Sequence, residues 1–147
     1  ACLIMKNQVF ISYSECDKEV AENIASVLSH MEISFVLNSN DVFPDGDFDS
    51  WDRISEQISS SEVFLYVGSP SVYVNPYAFK KLHYAIDIVE NHRTEACTKG
   101  VITFLSEIQD ALPGALRFLL SNVNHRTWEQ GVFPVLIKDI TAQLGLE

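Results

Sequence analysis

The sequence predicts an α/β protein, a flavodoxin-like three-layer sandwich whose five-stranded parallel sheet, in the order 2-1-3-4-5, carries helices on both faces. Short apolar runs of strand length alternate along the chain with stretches of helical periodicity, and this alternation is typical of parallel βαβ units joined by right-handed crossovers. The length of 147 residues, 47% of them hydrophobic, suits one domain with a full core. We therefore expect a single domain over residues 1–147, with its core at about 8–144.

The elements of the first half follow from apolar spacing. Residues 8–13 form a predicted buried strand, and Asp17 is the expected N-cap of a helix whose apolar residues are Val20, Ile24, Val27, Leu28 and Met31. Residues 33–37 form a second predicted strand. Residues 38–47 carry Asn, Asp, Pro and Gly and are expected to form an irregular loop. A second helix should follow, with one apolar stripe made of Trp51, Ile54 and Ile58.

The second half continues the alternation. Residues 63–67 form a third predicted strand. The third helix should start near Pro76, because proline is well tolerated in a first turn, and should bury Phe79, Leu82, Ile86 and Val89. The remaining elements are a fourth strand, a short helix, a weaker last strand and a closing helix, predicted at residues 101–105, 113–120, 123–128 and 132–144.

Charge is distributed unevenly along the chain. The net charge of −10 argues against a nucleic-acid partner, because phosphates need Lys and Arg to release their counterions. Residues 1–62 hold 12 acidic and three basic side chains, whereas residues 63–147 hold eight acidic and seven basic ones. A partner steered by this charge should present a basic surface to the first half.

The sequence offers little sign of a membrane span or of disulfides. No apolar run is long enough to cross a bilayer, and no signal-peptide pattern opens the chain, so we expect no direct membrane insertion by this segment. The three cysteines, Cys2, Cys16 and Cys97, form an odd set without CxxC spacing. This pattern favours reduced thiols and a cytoplasmic location.

The sequence contains a partial match to a calcium-binding loop and no phosphate-binding motif. Asp45, Asp47, Asp49 and Glu56 match four ligand positions of a calcium-binding EF-hand loop, but Ser50 stands where the sharp turn needs glycine. The apolar stripe that starts at Trp51 favours a helix there, so we expect an acidic, solvated loop and no metal. The six glycines are scattered and form no phosphate-binding motif, so no cofactor is expected.

Four motifs in order resemble the TIR family of Toll-like receptors, interleukin-1 receptors and their adaptors. Residues 9–17 (VFISYSECD) resemble its first box, and residues 41–46 (DVFPDG) its second-box loop, called the BB loop. Residues 69–73 (SPSVY) and 76–82 (PYAFKKL) resemble its serine-rich turn and the Trp-Cys-x-x-Glu-Leu start of its third helix. The Phe-Trp of the third box is Phe133-Pro134 here. The second-box arginine is Asn40, and Asp45 is inserted before the glycine.

The resemblance implies a cytoplasmic signalling module of innate immunity, acting as a receptor tail or an adaptor, that assembles with other TIR domains. Its expected binding loop consists of Asp41, Phe43, Pro44, Asp45, Gly46 and Asp47. Phe43 and Pro44 would form a rigid apolar tip among the acidic side chains. We expect the loop of one copy to dock on a different, near-neutral face of the next copy, which carries Lys80, Lys81 and Arg93.

The alternative function is cleavage of NAD, which some TIR domains perform with the glutamate of the third-helix motif. The ribosyl group becomes cationic in the transition state, so a carboxylate must face it. Here that position is Lys81, and we expect no catalytic residue and no enzyme activity. The pair Lys80-Lys81 has two open interpretations: solvated lysines, or a salt bridge to the acidic loop.

Overall fold

The computed structural model describes residues 7–40, 48–68, 76–91, 96–105, 124–127 and 132–145. Within these ranges the strands are β1 (Asn7–Tyr13), β2 (Phe35–Ser39), β3 (Ser61–Gly68), β4 (Gly100–Leu105) and β5 (Asn124–Thr127). The α-helices are α1 (Lys18–His30), α2 (Phe48–Ser59), α3 (Pro76–Glu90) and α4 (Val132–Leu144). A 3-10 turn at Glu15–Asp17 joins β1 to α1.

The strands form one sheet in the order β2-β1-β3-β4-β5, and each neighbouring pair is parallel. The central residue Phe10 of β1 lies opposite Val36 of β2 and Phe64 of β3. The predicted α/β fold with a parallel sheet is confirmed. The strand order reverses beside β1, and ligands of such folds bind beyond the carboxyl ends of the strands at this point.

Two hydrophobic cores lie on opposite faces of the sheet. One face packs against α1 and α4 through Ala21, Ile24, Leu28, Leu136 and Ile140. The other packs against α2 and α3 through Ile58, Ala78, Leu82, Ala85 and Ile88. Alternate residues of the strands supply the two faces, because successive side chains of a strand point to opposite sides. None of the helices in the described ranges is long and apolar enough to cross a membrane.

The second strand is displaced relative to its prediction. It begins at Phe35 and ends at Ser39, so the predicted range of 33–37 is wrong at both ends. Ile33 is buried in the turn before the strand, and the Ser34 backbone N–H donates a hydrogen bond to Gln8 Oε1 at 3.0 Å. Burial of Ile33 therefore does not require a strand there. The strand also includes Asn38, which composition had assigned to the loop.

Other details are corrected by packing. Asp17 stands at the N-cap of α1, but its side chain makes no capping hydrogen bond. Phe79 is only half-buried, and its ring stacks on His83 with the ring centres 6.1 Å apart. The predicted strand at 123–128 corresponds to β5. The predicted short helix at 113–120 lies outside the described residues.

The cysteines differ from the expectation of reduced thiols. Cys97 is disulfide-bonded, whereas Cys16 is a free, exposed thiol. The bonding partner of Cys97 therefore lies outside the described residues. Cys97 itself is held beside the end of α2, because its backbone N–H donates a hydrogen bond to the Ser59 carbonyl at 2.6 Å. Sequence spacing alone could not show this, since disulfide pairing depends on how the fold brings the chain together.

Candidate functional site

Polar side chains replace apolar ones where β1 and β2 approach their carboxyl ends on the α2–α3 face. Phe10 on β1 is followed two residues later by Ser12, and Val36 on β2 is followed by Asn38 and then Asn40. Residues two apart on a strand face the same side. On this face of the sheet, the apolar side chains in the middle of β1 and β2 are therefore followed by side chains that form hydrogen bonds.

Lys81 on α3 points into this polar end of the core and is only 1% exposed. Its Nζ donates a hydrogen bond to Asn38 Oδ1 at 2.7 Å. The ammonium also lies 4.4 Å from the ring centre of Tyr77 and 5.8 Å from that of Phe10. Removing a charged group from water is costly unless it is hydrogen-bonded. The amide oxygen and the electron-rich faces of the two rings offset part of that cost.

Tyr77 lies one helical turn before Lys81 and binds the same acceptor. Its hydroxyl donates to Asn38 Oδ1 at 3.0 Å, and the edge of its ring meets Trp51 of α2 at 5.5 Å between ring centres. Burial raises the pKa of the Tyr77 phenol above 10.0, partly offset by the hydrogen bond with Asn38. The phenol is therefore a neutral hydrogen-bond donor at physiological pH.

The end of β2 is also hydrogen-bonded to β1, its neighbour in the sheet. The Ser12 hydroxyl donates to Asn40 Oδ1 at 2.8 Å in a buried hydrogen bond. The Asn40 backbone N–H donates to the Tyr13 carbonyl at 2.7 Å. We refer to Ser12, Asn38, Asn40, Tyr77 and Lys81 as the anchor cluster, because together they hold the carboxyl end of β2 between β1 and α3.

Polar side chains also surround Gly68, the last residue of β3. A Cβ at Gly68 would stand 3.0 Å from the Tyr66 hydroxyl and 3.3 Å from both Ser14 Oγ and Asp17 Oδ2. These contacts are tighter than most Cβ contacts, so a side chain at Gly68 would require the neighbouring polar groups to shift by a few tenths of an ångström. No functional role was predicted for Gly68 or Tyr66, whereas Ser14 lies in the segment 9–17 that resembles the first box of the family.

A groove of about 340 Å³ runs between α2 and α3 beside the anchor cluster. Its lining includes Trp51, Ile54, Ile58, Lys80 and Tyr84. The Lys80 ammonium lies 5.1 Å from the Trp51 ring centre, an arrangement in which the ring attracts the cation. The groove is mostly apolar, and the charged residues of its lining are Asp52, Lys80 and Lys81.

Only part of the predicted docking face is exposed to solvent. Lys80 is exposed and Lys81 is buried, while Arg93 lies outside the described residues. The inclusion of Lys81 in an exposed basic face is corrected by its position on the inner side of α3. A partner that meets α3 in this conformation would contact Lys80, but not the Lys81 ammonium.

The predicted binding loop is not among the described residues. Asp41, Phe43, Pro44, Asp45, Gly46 and Asp47 all fall in the gap between β2 and α2, so the salt bridge suggested between this loop and the lysines is not tested. The structure does describe where the loop leaves β2, at the anchor cluster. It also shows that residues 48–56, nine of the twelve positions of the calcium-loop pattern at 45–56, are part of helix α2.

Other acidic residues considered for catalysis lie away from Lys81. Glu62, near the amino end of β3, forms a salt bridge with Lys99 at 2.9 Å. Asp87 lies toward the end of α3, where its carboxylate accepts a hydrogen bond from the Asn91 side chain, and Glu90 is the last residue of that helix. No group of three or more potential metal ligands occurs among the residues with described positions.

A family model described as "TIR domain" matches residues 9–137 of the chain. The chain belongs to the TIR domain family. No curated protein matches this TIR domain significantly, but many solved structures do. The match covers the anchor cluster and all of the sheet except the first two residues of β1.

Three solved structures illustrate the similarity. The TIR domain of the Toll-related receptor TRR-2 from Hydra magnipapillata is 22% identical, with a TM-score of 0.60, over 92% of this chain and 98% of its own. The RPS4 and RRS1 TIR domain heterodimer is 14% identical, with a TM-score of 0.64, over 94% and 98%. A metazoan TIR-STING receptor from C. gigas is 17% identical, with a TM-score of 0.59, over 98% of this chain and 43% of its own. At these identities the similarity demonstrates the fold.

Proposed function

We propose that this TIR domain is a signalling interaction module that assembles with other TIR domains through the loop at residues 41–47. One structural relative is a heterodimer of two TIR domains, and another is a Toll-related receptor. We place the module in innate-immune signalling in the cytoplasm, as part of a receptor or an adaptor. Disulfides persist mainly in oxidising compartments, so the disulfide at Cys97 does not support a cytoplasmic location. We infer that location from the family.

The observation that carries the proposal is the buried ammonium of Lys81. According to the family resemblance, this position would hold the carboxylate that faces the cationic ribosyl group when NAD is cleaved. Lys81 is instead a cation, already bound to Asn38. A positive charge raises the energy of a developing cation in a low-dielectric site rather than lowering it. The site therefore favours a binding role over cleavage of NAD.

Two of the acids considered for catalysis, Glu62 and Asp87, lie well along their strand and helix from the position that the resemblance gives to the catalytic group. Glu62 precedes Gly68 by six residues of β3, which places it roughly 20 Å from the carboxyl end of that strand. Asp87 follows Lys81 by six residues of α3, roughly 9 Å along the helix axis. Neither acid lies where the family resemblance places the catalytic group.

The purified TIR domain is expected to leave NAD intact. Incubation at high protein concentration for many hours, with free nicotinamide measured by chromatography, checks this expectation. The protein incubated without NAD and NAD incubated without protein are the controls. Release of nicotinamide that disappears on mutation of a nearby acid would show that the domain is an enzyme with an atypical site.

The interaction loop is tested by Phe43→Ala and Pro44→His. If the loop tip is the centre of the interface, each variant should weaken assembly by about 2 kcal/mol or more, roughly 30-fold in Kd. The melting temperature should change little. Self-association of the purified chain by light scattering and thermal melting of the same samples provide the two measurements.

Met31→His is a matched control, because Met31 is exposed and lies at the end of α1, toward the amino ends of the strands. It should change neither assembly nor melting. Asp45→Lys with Asp47→Lys should weaken binding to a basic partner mainly through slower association. Loss of folding in Pro44→His, or unaltered assembly in all the loop variants, would show that the interface lies elsewhere.

A further inference from the structure

Two side chains of α3 converge on one oxygen atom at the end of β2. Lys81 Nζ lies 2.7 Å and the Tyr77 hydroxyl 3.0 Å from Asn38 Oδ1. Asn38 is the second-last residue of β2. A carbonyl oxygen has two lone pairs and can accept both hydrogen bonds, so the position of Asn38 is determined by two donors on successive turns of one helix.

The same chain segment is also held by the neighbouring strand β1. Asn40 is fixed to β1 through its side chain, by the Ser12 hydroxyl, and through its backbone, by the Tyr13 carbonyl. Residues 38–40 are therefore bound from α3 and from β1 immediately before the loop at 41–47. Two polar connections, one to the helix above the sheet and one to the neighbouring strand within it, restrain the chain as it leaves β2.

A buried ammonium is not an efficient way to stabilise this packing. Replacing buried charged groups by apolar residues of similar volume is often neutral or stabilising, and Leu82 and Ala85 already form an apolar face beside Lys81. Among the described contacts of the ammonium is a short, directional hydrogen bond to a specific atom of β2. Its contribution is therefore better explained by the geometry of the β2 end than by the stability of the core.

We infer that Lys81 and Tyr77 are positioning residues for the interaction loop. By binding Asn38, they set the direction in which the chain leaves β2 toward residues 41–47. This role rests on the proposed function of the loop. It also reassigns Lys81, whose ammonium acts from inside the domain on the loop and does not contact the partner.

The test is Lys81→Met in the full 147-residue chain, with Thr98→Val as the matched control. Methionine keeps the length and most of the volume of the lysine without its charge or its hydrogen bond. Self-association should weaken at least fivefold while the melting temperature is unchanged or higher. Thr98 donates a buried hydrogen bond of 2.7 Å to the Ile58 carbonyl beside the amino end of β4. Its loss should lower the melting temperature and leave assembly unchanged.

Tyr77→Phe provides a second, smaller perturbation that keeps the ring in contact with Lys81 and Trp51. It should weaken assembly by about twofold to threefold, and it decides the question if Lys81→Met does not fold. Adding Asn38→Leu to Lys81→Met should weaken assembly further by about the twofold to threefold expected of Tyr77→Phe, because Asn38→Leu then removes only the remaining hydrogen bond from Tyr77.

The outcomes separate this inference from the proposed function. If Pro44→His abolishes assembly but Lys81→Met and Tyr77→Phe leave it unchanged, the positioning role is wrong and the interaction loop stands. If Pro44→His also leaves assembly unchanged, the interaction function of the loop is wrong, and the positioning role fails with it. Weaker assembly in Lys81→Met at an unchanged or higher melting temperature supports both.

Discussion

Lys81→Glu is expected to destabilise the protein by about 3–5 kcal/mol at neutral pH, the range found when a buried charge loses its partner. The new carboxylate would lie where Lys81 now faces the Tyr77 and Phe10 rings. The negative faces of these rings, which attract an ammonium, repel an anion. The melting temperature should fall by roughly 6–20 °C for a chain of this size.

The destabilisation caused by Lys81→Glu should become larger as the pH rises. Burial without a positive partner raises the pKa of a carboxyl above its unfolded value of about 4.3. The variant carboxyl is then neutral in the folded state up to a higher pH than in the unfolded state. Stability relative to the native protein is therefore least affected below about pH 4 and declines as pH rises above it. Denaturation at pH 5 and pH 8 measures the difference.

Lys80→Glu is the matched control, since Lys80 is adjacent in sequence but exposed. That variant should change stability by about 0.5 kcal/mol or less and show no comparable pH dependence. Equal melting of Lys81→Glu and the native protein at pH 8 would mean that Lys81 is solvated in solution. The anchor cluster described above would then be incorrect.

Phe64→Ala is expected to cost about 3–5 kcal/mol of the free energy of unfolding. Phe64 is fully buried in the middle of β3, and its ring stacks on that of Phe10 with the ring centres 5.4 Å apart and the planes 11° from parallel. The substitution removes this contact and leaves a cavity between the sheet and the helices α2 and α3. Urea denaturation monitored by circular dichroism measures the change in unfolding free energy.

Two comparisons make this result specific to the aromatic pair. Met31→Ala, at an exposed residue, should alter stability by about 0.5 kcal/mol or less. A double-mutant cycle of Phe10→Leu and Phe64→Leu should give a coupling energy of about 0.5–1.5 kcal/mol. A loss below 1 kcal/mol for Phe64→Ala, or no coupling in the cycle, would contradict the packing of this core.

The elements predicted best are those whose apolar pattern in the sequence matches their burial in the fold. The predicted strand at 63–67 lies inside β3, and the closing helix at 132–144 coincides with α4. A short, continuous apolar run predicts a buried strand such as β3, and a long amphipathic pattern predicts a helix such as α4. Both patterns can be recognised from neighbouring residues in the sequence. The bounds of β2 were missed because Ile33 is apolar and buried without being in a strand.

Helix α3 shows where periodicity misleads. The stripe predicted from its large apolar residues was Phe79, Leu82, Ile86 and Val89, whereas the buried face also includes Ala78, Lys81, Ala85 and Ile88. Alanine is only weakly hydrophobic, and lysine is typical of an exposed position. The sequence therefore predicted a buried face of α3 that is rotated toward Phe79 relative to the observed one. The spacing of Ala78, Leu82, Ala85 and Ile88 contained the signal that would have placed Lys81 inside.

The amino-acid sequence by itself determined the α/β class, the parallel sheet and the resemblance to the TIR family, because these depend on periodicity and on motifs that are local in the chain. Only the tertiary structure decided that the Lys81 ammonium lies inside the domain, bound to Asn38 of β2. That contact joins residues 43 positions apart and depends on how α3 is rotated against the sheet. The rotation is set by the packing of both helices on the strands, which no local pattern records.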